Sequence, residues 1–194
     1  MVRSPWEPSD RVIPGSVAGE LLLARTDAAA VAVGSLRAHP NGLQFTVHVR
    51  LRREDPDSQG LRDPFNSHGP RRDEAGRLRL GVLFADGRRT VTDAGWGHGR
   101  DYSETGEPLI RSEGSSGSAQ RWDANFWLYP LPPDGPLTFL VSWPAYGITE
   151  ARGEVDASLI RAAAGRAVQL WPEDPDEEPA PSSVSSTLTS RRDG

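Results

Sequence analysis

The chain has 194 residues, 22 basic against 27 acidic side chains, and no cysteine. Every basic residue is Arg, since the sequence contains no Lys. These absences exclude a disulfide framework, a thiol nucleophile, a thiolate metal site, Schiff-base chemistry and a phosphate-loop lysine. The net charge of −5 is concentrated at the C-terminus, where residues 172–194 carry six acids and two Arg. The remaining body is close to neutral, which argues against a nucleic-acid interface.

In chain order, residues 1–16 hold three prolines and no periodicity, and are expected to run as extended chain over a single domain spanning 17–171. Neither a signal peptide nor an apolar run of membrane-spanning length is seen, so a bacterial cytoplasmic location without membrane attachment is the expectation. Gly19–Thr26 and Ala29–Leu36 read as strands, and the Leu21-Leu22-Leu23 run suggests a strand buried on both faces or hidden near an edge. Leu43, Phe45, Val47, Val49 and Leu51 alternate with Gln44, Thr46, His48, Arg50 and Arg52, the pattern of a half-buried strand. Asn41-Gly42 supplies the turn before it.

Residues 54–76 are a polar insertion, followed by a strand at Leu78–Phe84 and a hairpin through Asp86-Gly87 into Arg88–Thr92. A second irregular stretch covers 94–119, with a short strand expected at Pro108–Arg111 and a flexible Glu113–Ser118. Strands are then predicted at Arg121–Pro130, Leu137–Trp143 and Ile148–Val155. Asp156 can cap a helix over 157–171, with Leu159, Ile160, Ala163, Ala167, Leu170 and Trp171 on one apolar face and Pro172 as its stop. Residues 172–194 are acidic and then Ser/Thr-rich, a composition expected to be disordered. Short strands without alternating helices predict a mainly β domain, an antiparallel β-sandwich that is immunoglobulin-like in general architecture with one C-terminal helix.

Five segments carry a resemblance: ELLLARTD (20–27), VAVGSLRAHPNGLQFTVHVRLR (31–52), RLRLGVLFADGRR (77–89), RWDANFWLYPLPPDGPLTFLVSWPAYGI (121–148) and IRAAAGRAVQLWPED (160–174). They resemble a family of standalone proteins from high-GC Gram-positive bacteria to which no activity is attached. The resemblance implies a β-rich fold and transfers no catalytic residue.

The chemistry-bearing candidates are few. His98 lies in a Gly95–Asp101 loop with Trp96, the one place where His, carboxylate, Arg and Trp converge in an irregular segment. His48 is expected to face outward between Thr46 and Arg50, and no His pair has metal-ligand spacing. Gly114–Ser118 does not fit a nucleophile elbow. No catalytic residue, metal or cofactor is therefore assigned. If Trp122, Phe126 and Leu128 pack inward, Trp127 and Tyr129 face outward, against the helix or into a groove. The leading expectation is a non-catalytic domain acting through another protein. The alternative is a small-ligand or carbohydrate-binding domain using Arg50, Arg79, Trp127 and Tyr129, with Trp96 and His98 as further candidates. A hydrolase with its site in 94–119 is the third reading.

Overall fold

The computed structural model describes residues 6–53, 64–65, 74–92 and 106–171. Among these described residues, twelve strands and one α-helix follow in order: β1 (Val12–Ile13), β2 (Gly15–Ser16), β3 (Leu21–Arg25), β4 (Ala29–Ala38), β5 (Leu43–Leu51), β6 (Arg79–Leu83), β7 (Arg89–Val91), β8 (Leu109–Gly117), β9 (Arg121–Tyr129), β10 (Pro136–Trp143), β11 (Ile148–Asp156), α1 (Ala157–Ala164) and β12 (Val168–Gln169). The fold is mainly β, and all the strand pairings are antiparallel.

A six-stranded sheet runs β2-β4-β5-β9-β8, with β3 also paired to β4, and a four-stranded sheet runs β11-β10-β6-β7. The period-2 pattern of β5 decides its orientation. Leu43, Phe45, Val47 and Val49 are fully or almost fully buried, while Gln44, Thr46, His48 and Arg50 point the other way. Leu80 and Val82 of β6 and Leu137, Phe139 and Val141 of β10 do the same for the second sheet. Side chains from both sheets belong to one hydrophobic cluster, in which Phe45 packs edge-on against Phe139 at 5.1 Å between ring centroids. The strand at Leu21–Arg25 lies at a sheet edge, with Leu23 buried and Leu22 exposed.

Helix α1 closes part of this core with Ala157, Ile160 and Ala163. The side chain of Asp156 accepts a hydrogen bond from the Ser158 backbone N–H at 2.9 Å, an N-cap that satisfies one of the orphan donors of the first turn. The predicted helix over 157–171 is too long. The chain leaves the helix after Ala164, and Val168–Gln169 pair instead with Val12–Ile13. Leu170 and Trp171 are consequently exposed rather than buried on a helix face, and Leu159, although within α1, is on its solvent side. The Ser/Gly-rich segment expected to be flexible is the second half of a nine-residue strand, β8, paired with β9 as far as Gly117 and Trp122. Among the described residues, no helix is long and apolar enough to cross a membrane.

Candidate functional site

The outer face of the six-stranded sheet collects polar side chains into rows fixed by strand register. One row crosses Leu22, Ala32, His48, Asp123 and Ser116. Its centre is an ion-paired cluster. His48 Nδ1 lies 2.7 Å from Asp123 Oδ1 and, because a carboxylate only accepts, it is the nitrogen that carries the hydrogen. Arg50 donates to the same oxygen at 2.7 Å, and Arg121 stands 3.5 Å from the other. Partial burial would raise the Asp123 pKa, but hydrogen bonds and charge from His48 and Arg50 outweigh it and hold the carboxyl below its usual range.

On its other nitrogen, His48 faces Glu20 at 3.7 Å. Glu20 reaches this position because residue 34 is Gly: a β-carbon there would overlap the Glu20 carboxylate. The two carboxylates therefore sit on opposite ring nitrogens, which is not a metal-chelating arrangement, and no His/Asp/Glu group among the described residues has metal-binding geometry. A base oriented by Asp123 would still need a nucleophile. Thr46, on the same strand face as His48, gives its hydroxyl hydrogen to Asn125 Oδ1 at 2.8 Å instead.

The next row carries the strongest local charge. Arg25 is opposite Ala30, Ala30 opposite Arg50, and Arg50 opposite Arg121. Cross-strand neighbours are about 4.5–5.5 Å apart at Cβ, so the small Ala30 leaves a gap between two guanidinium stems. An open depression is found there, lined by Arg25, Asp27, Ala30, Arg50 and Arg52. Asp123 serves Arg50 and Arg121 together, and Asp27 stands 3.9 Å from Arg52 with both side chains well exposed. Three guanidiniums, those of Arg50, Arg121 and Arg52, thus share two carboxylates, and Arg25 adds a fourth cation to the same depression.

The candidates read from sequence are not brought into one place. Arg50 belongs to the six-stranded sheet and Arg79 to the four-stranded one, each on the side away from the shared core. Trp127 and Tyr129 do share the outer side of β9, but neither presents an open aromatic surface. Trp127 is 0% exposed and lies outside the central hydrophobic cluster. Residues 6–7, and not the helix, take its polar edge: the indole N–H donates to the Trp6 carbonyl at 2.9 Å. His39 packs edge-on against its ring at 5.3 Å. Tyr129 is half-buried at the strand end opposite Leu109. Trp96, His98 and His68 lie outside the described residues. Sequence reasoning missed Asp123, Glu20 and Arg25; their signal is positional, since only strand register places them beside His48 and Arg50.

Comparison with protein-family models, with curated proteins and with solved structures finds no match for this chain.

Proposed function

We propose that this chain is a non-catalytic binding domain of β-sandwich architecture, immunoglobulin-like only in that general sense, which takes up an acidic segment of a partner protein at the Arg25–Arg50–Arg52 end of its outer sheet face. The observation that carries this reading is the row Arg25–Ala30–Arg50–Arg121, in which three guanidiniums and a gap are set side by side by register. Planar guanidinium groups in this spacing suit bidentate contact with carboxylates. Arg50 is held in place by the Val49 carbonyl at 2.8 Å and by Asp123, so part of the site is ordered before a ligand arrives. The sandwich description rests on two antiparallel sheets contributing to one core. A nearly neutral body with a small basic patch fits an acidic peptide better than the extended basic surface that a nucleic acid requires. The resemblance noted above brings a β-rich fold and no chemistry to this reading.

The test is a titration of a fluorescent Glu/Asp-rich decapeptide and of a single-stranded DNA oligonucleotide against the full chain and its Arg25→Glu/Arg52→Glu variant. The reading expects peptide binding that weakens with salt and falls by about tenfold or more on charge reversal. Arg152→Glu, on the other sheet, should leave it unchanged. Binding of DNA in preference to the peptide, or equal peptide binding by all three chains, would overturn it.

A further inference from the structure

The segment Trp6–Glu7 is held by side chains of the body. Among the described residues it joins no strand, and the first strand pairing is at Val12–Ile13. Its two successive carbonyls are instead taken by side-chain donors of the body: Trp127 Nε1 donates to the Trp6 carbonyl at 2.9 Å, and Asn41 Nδ2 to the Glu7 carbonyl at 2.7 Å. One guanidinium reads both side chains. Arg111 pairs with Glu7 Oε1 at 3.0 Å and places its carbon 5.7 Å from the Trp6 ring centroid. The receiving groups come from three places in the sequence: the turn between β4 and β5, the strand β8 and the strand β9. The space beneath them is reserved by Gly42, where a β-carbon would overlap the Trp127 ring and crowd the Leu128 carbonyl.

We propose that this Asn41–Arg111–Trp127 groove is a peptide-recognition site for an aromatic residue followed by an acidic one, and that residues 6–7 occupy it in cis. Side-chain donors on consecutive peptide carbonyls fix the direction of an extended segment without demanding a particular sequence. Arg111 then supplies the selectivity, through a charge-assisted bond to the acid and a cation–π contact with the aromatic ring. The Trp127 ring at this site is fully buried with residues 6–7 in place. An incoming Trp-Glu peptide would restore the same bonds once the cis segment is displaced, and its affinity is lowered by the fraction of time the groove is filled. The site is separate from the Arg25 depression, and neither reading depends on the other.

Two measurements test it. A peptide of sequence RSPWEPSD is titrated against the full chain carrying Trp6→Ala and Glu7→Ala, with the wild-type chain alongside. Saturable binding to the variant, about tenfold or more tighter than to wild type and lost to a similar degree when Arg111→Ala is added, supports the proposal. Equal binding to variant and wild type, or none to either, overturns it. Independently of any variant, hydrogen exchange at the Trp127 indole N–H of the wild-type chain should run about a hundredfold faster than at the Phe45 and Val47 backbone amides, through local undocking of residues 6–7. Exchange as slow as those amides would show that the segment leaves only when the domain unfolds, and would overturn the proposal too.

Discussion

Gly15 lies directly against the backbone carbonyl of Ala163: a β-carbon built on Gly15 would fall well inside the van der Waals envelope of that oxygen. The opposing atoms are backbone atoms of α1, so no side-chain rotation relieves the overlap. Gly15 is what lets the helix sit down on β2 and bury Ile160 and Ala163. Gly15→Ala should therefore lift the helix and destabilise the domain by about 1–3 kcal/mol in denaturant unfolding. A loss below about 0.5 kcal/mol would mean that the helix is not seated against this strand.

Trp143 is 1% exposed and anchors the end of β10, with its indole N–H donating to the Gly76 carbonyl at 3.1 Å and its ring 4.0 Å from that of Tyr146. Trp143→Ala should cost about 3–5 kcal/mol, as deletion of a large core aromatic does. Trp143→Phe should cost less, about 1–3 kcal/mol, of which part comes from the carbonyl left without its donor. Urea denaturation of the two variants against wild type checks both values and their order.

Trp122 presents the opposite case. Its indole nitrogen is buried and makes no hydrogen bond among the described residues, while its ring packs where a β-carbon on Gly117 would overlap it. Removing the N–H therefore removes an unsatisfied donor. Trp122→Phe should change stability by no more than about 1 kcal/mol, because recovered desolvation offsets lost ring area. The thermal midpoint is the readout; a loss as large as that of Trp143→Ala would disprove the account.

Among the described residues, three carboxyls are held below their usual pKa range. Partial burial acts to raise that of Asp123, but it is outweighed by hydrogen bonds from His48 and Arg50; Asp86 is lowered by the side chain and backbone of Arg88, and Asp156 by the Ser158 backbone N–H. A folded-state value below the unfolded one supplies stability that is complete above the unfolded pKa of about 3.9 and is lost as pH falls through the folded value. Unfolding free energy should therefore decline with acid from about pH 4 downward. Asp123→Asn should make that decline shallower while lowering stability at pH 7. An unchanged acid limb in Asp123→Asn would show that the His48–Asp123–Arg50 cluster does not contribute to it.

The readable parts of this fold are those in which a local pattern and a tertiary environment agree. Leu43–Leu51 alternates because one side meets the core and the other does not, so both the strand and its inward residues follow from the sequence. Glu113–Gly117 offers no such contrast: both faces of this edge strand are exposed, and it is a strand only because β9 supplies its hydrogen bonds. The over-long helix has the same origin. Leu170 and Trp171 fit a helical period, yet Val168–Gln169 are claimed by Val12–Ile13, more than 150 residues earlier, and nothing local announces that pairing. The site divides in the same way. The outward direction of His48, Arg50 and Trp127 was readable from parity. That the Trp6 carbonyl takes the Trp127 N–H depends on the docking of a segment distant in sequence, and that Arg25 stands in line with Arg50 depends on register between distant strands.

Among the described residues, the strand β8 is an edge of the six-stranded sheet, and its ladder is broken by a bulge between Ser112 and Gly114, where Gly114 takes a positive φ of 134°. An uninterrupted nine-residue edge would be a template for another chain's backbone. Here Arg111 and Glu113 put charge on that edge, and the bulge twists its donors and acceptors out of line, so a second copy laid alongside would find only short stretches to pair with. The polar, glycine-rich sequence that looked like slack in the chain is what works against edge-to-edge stacking.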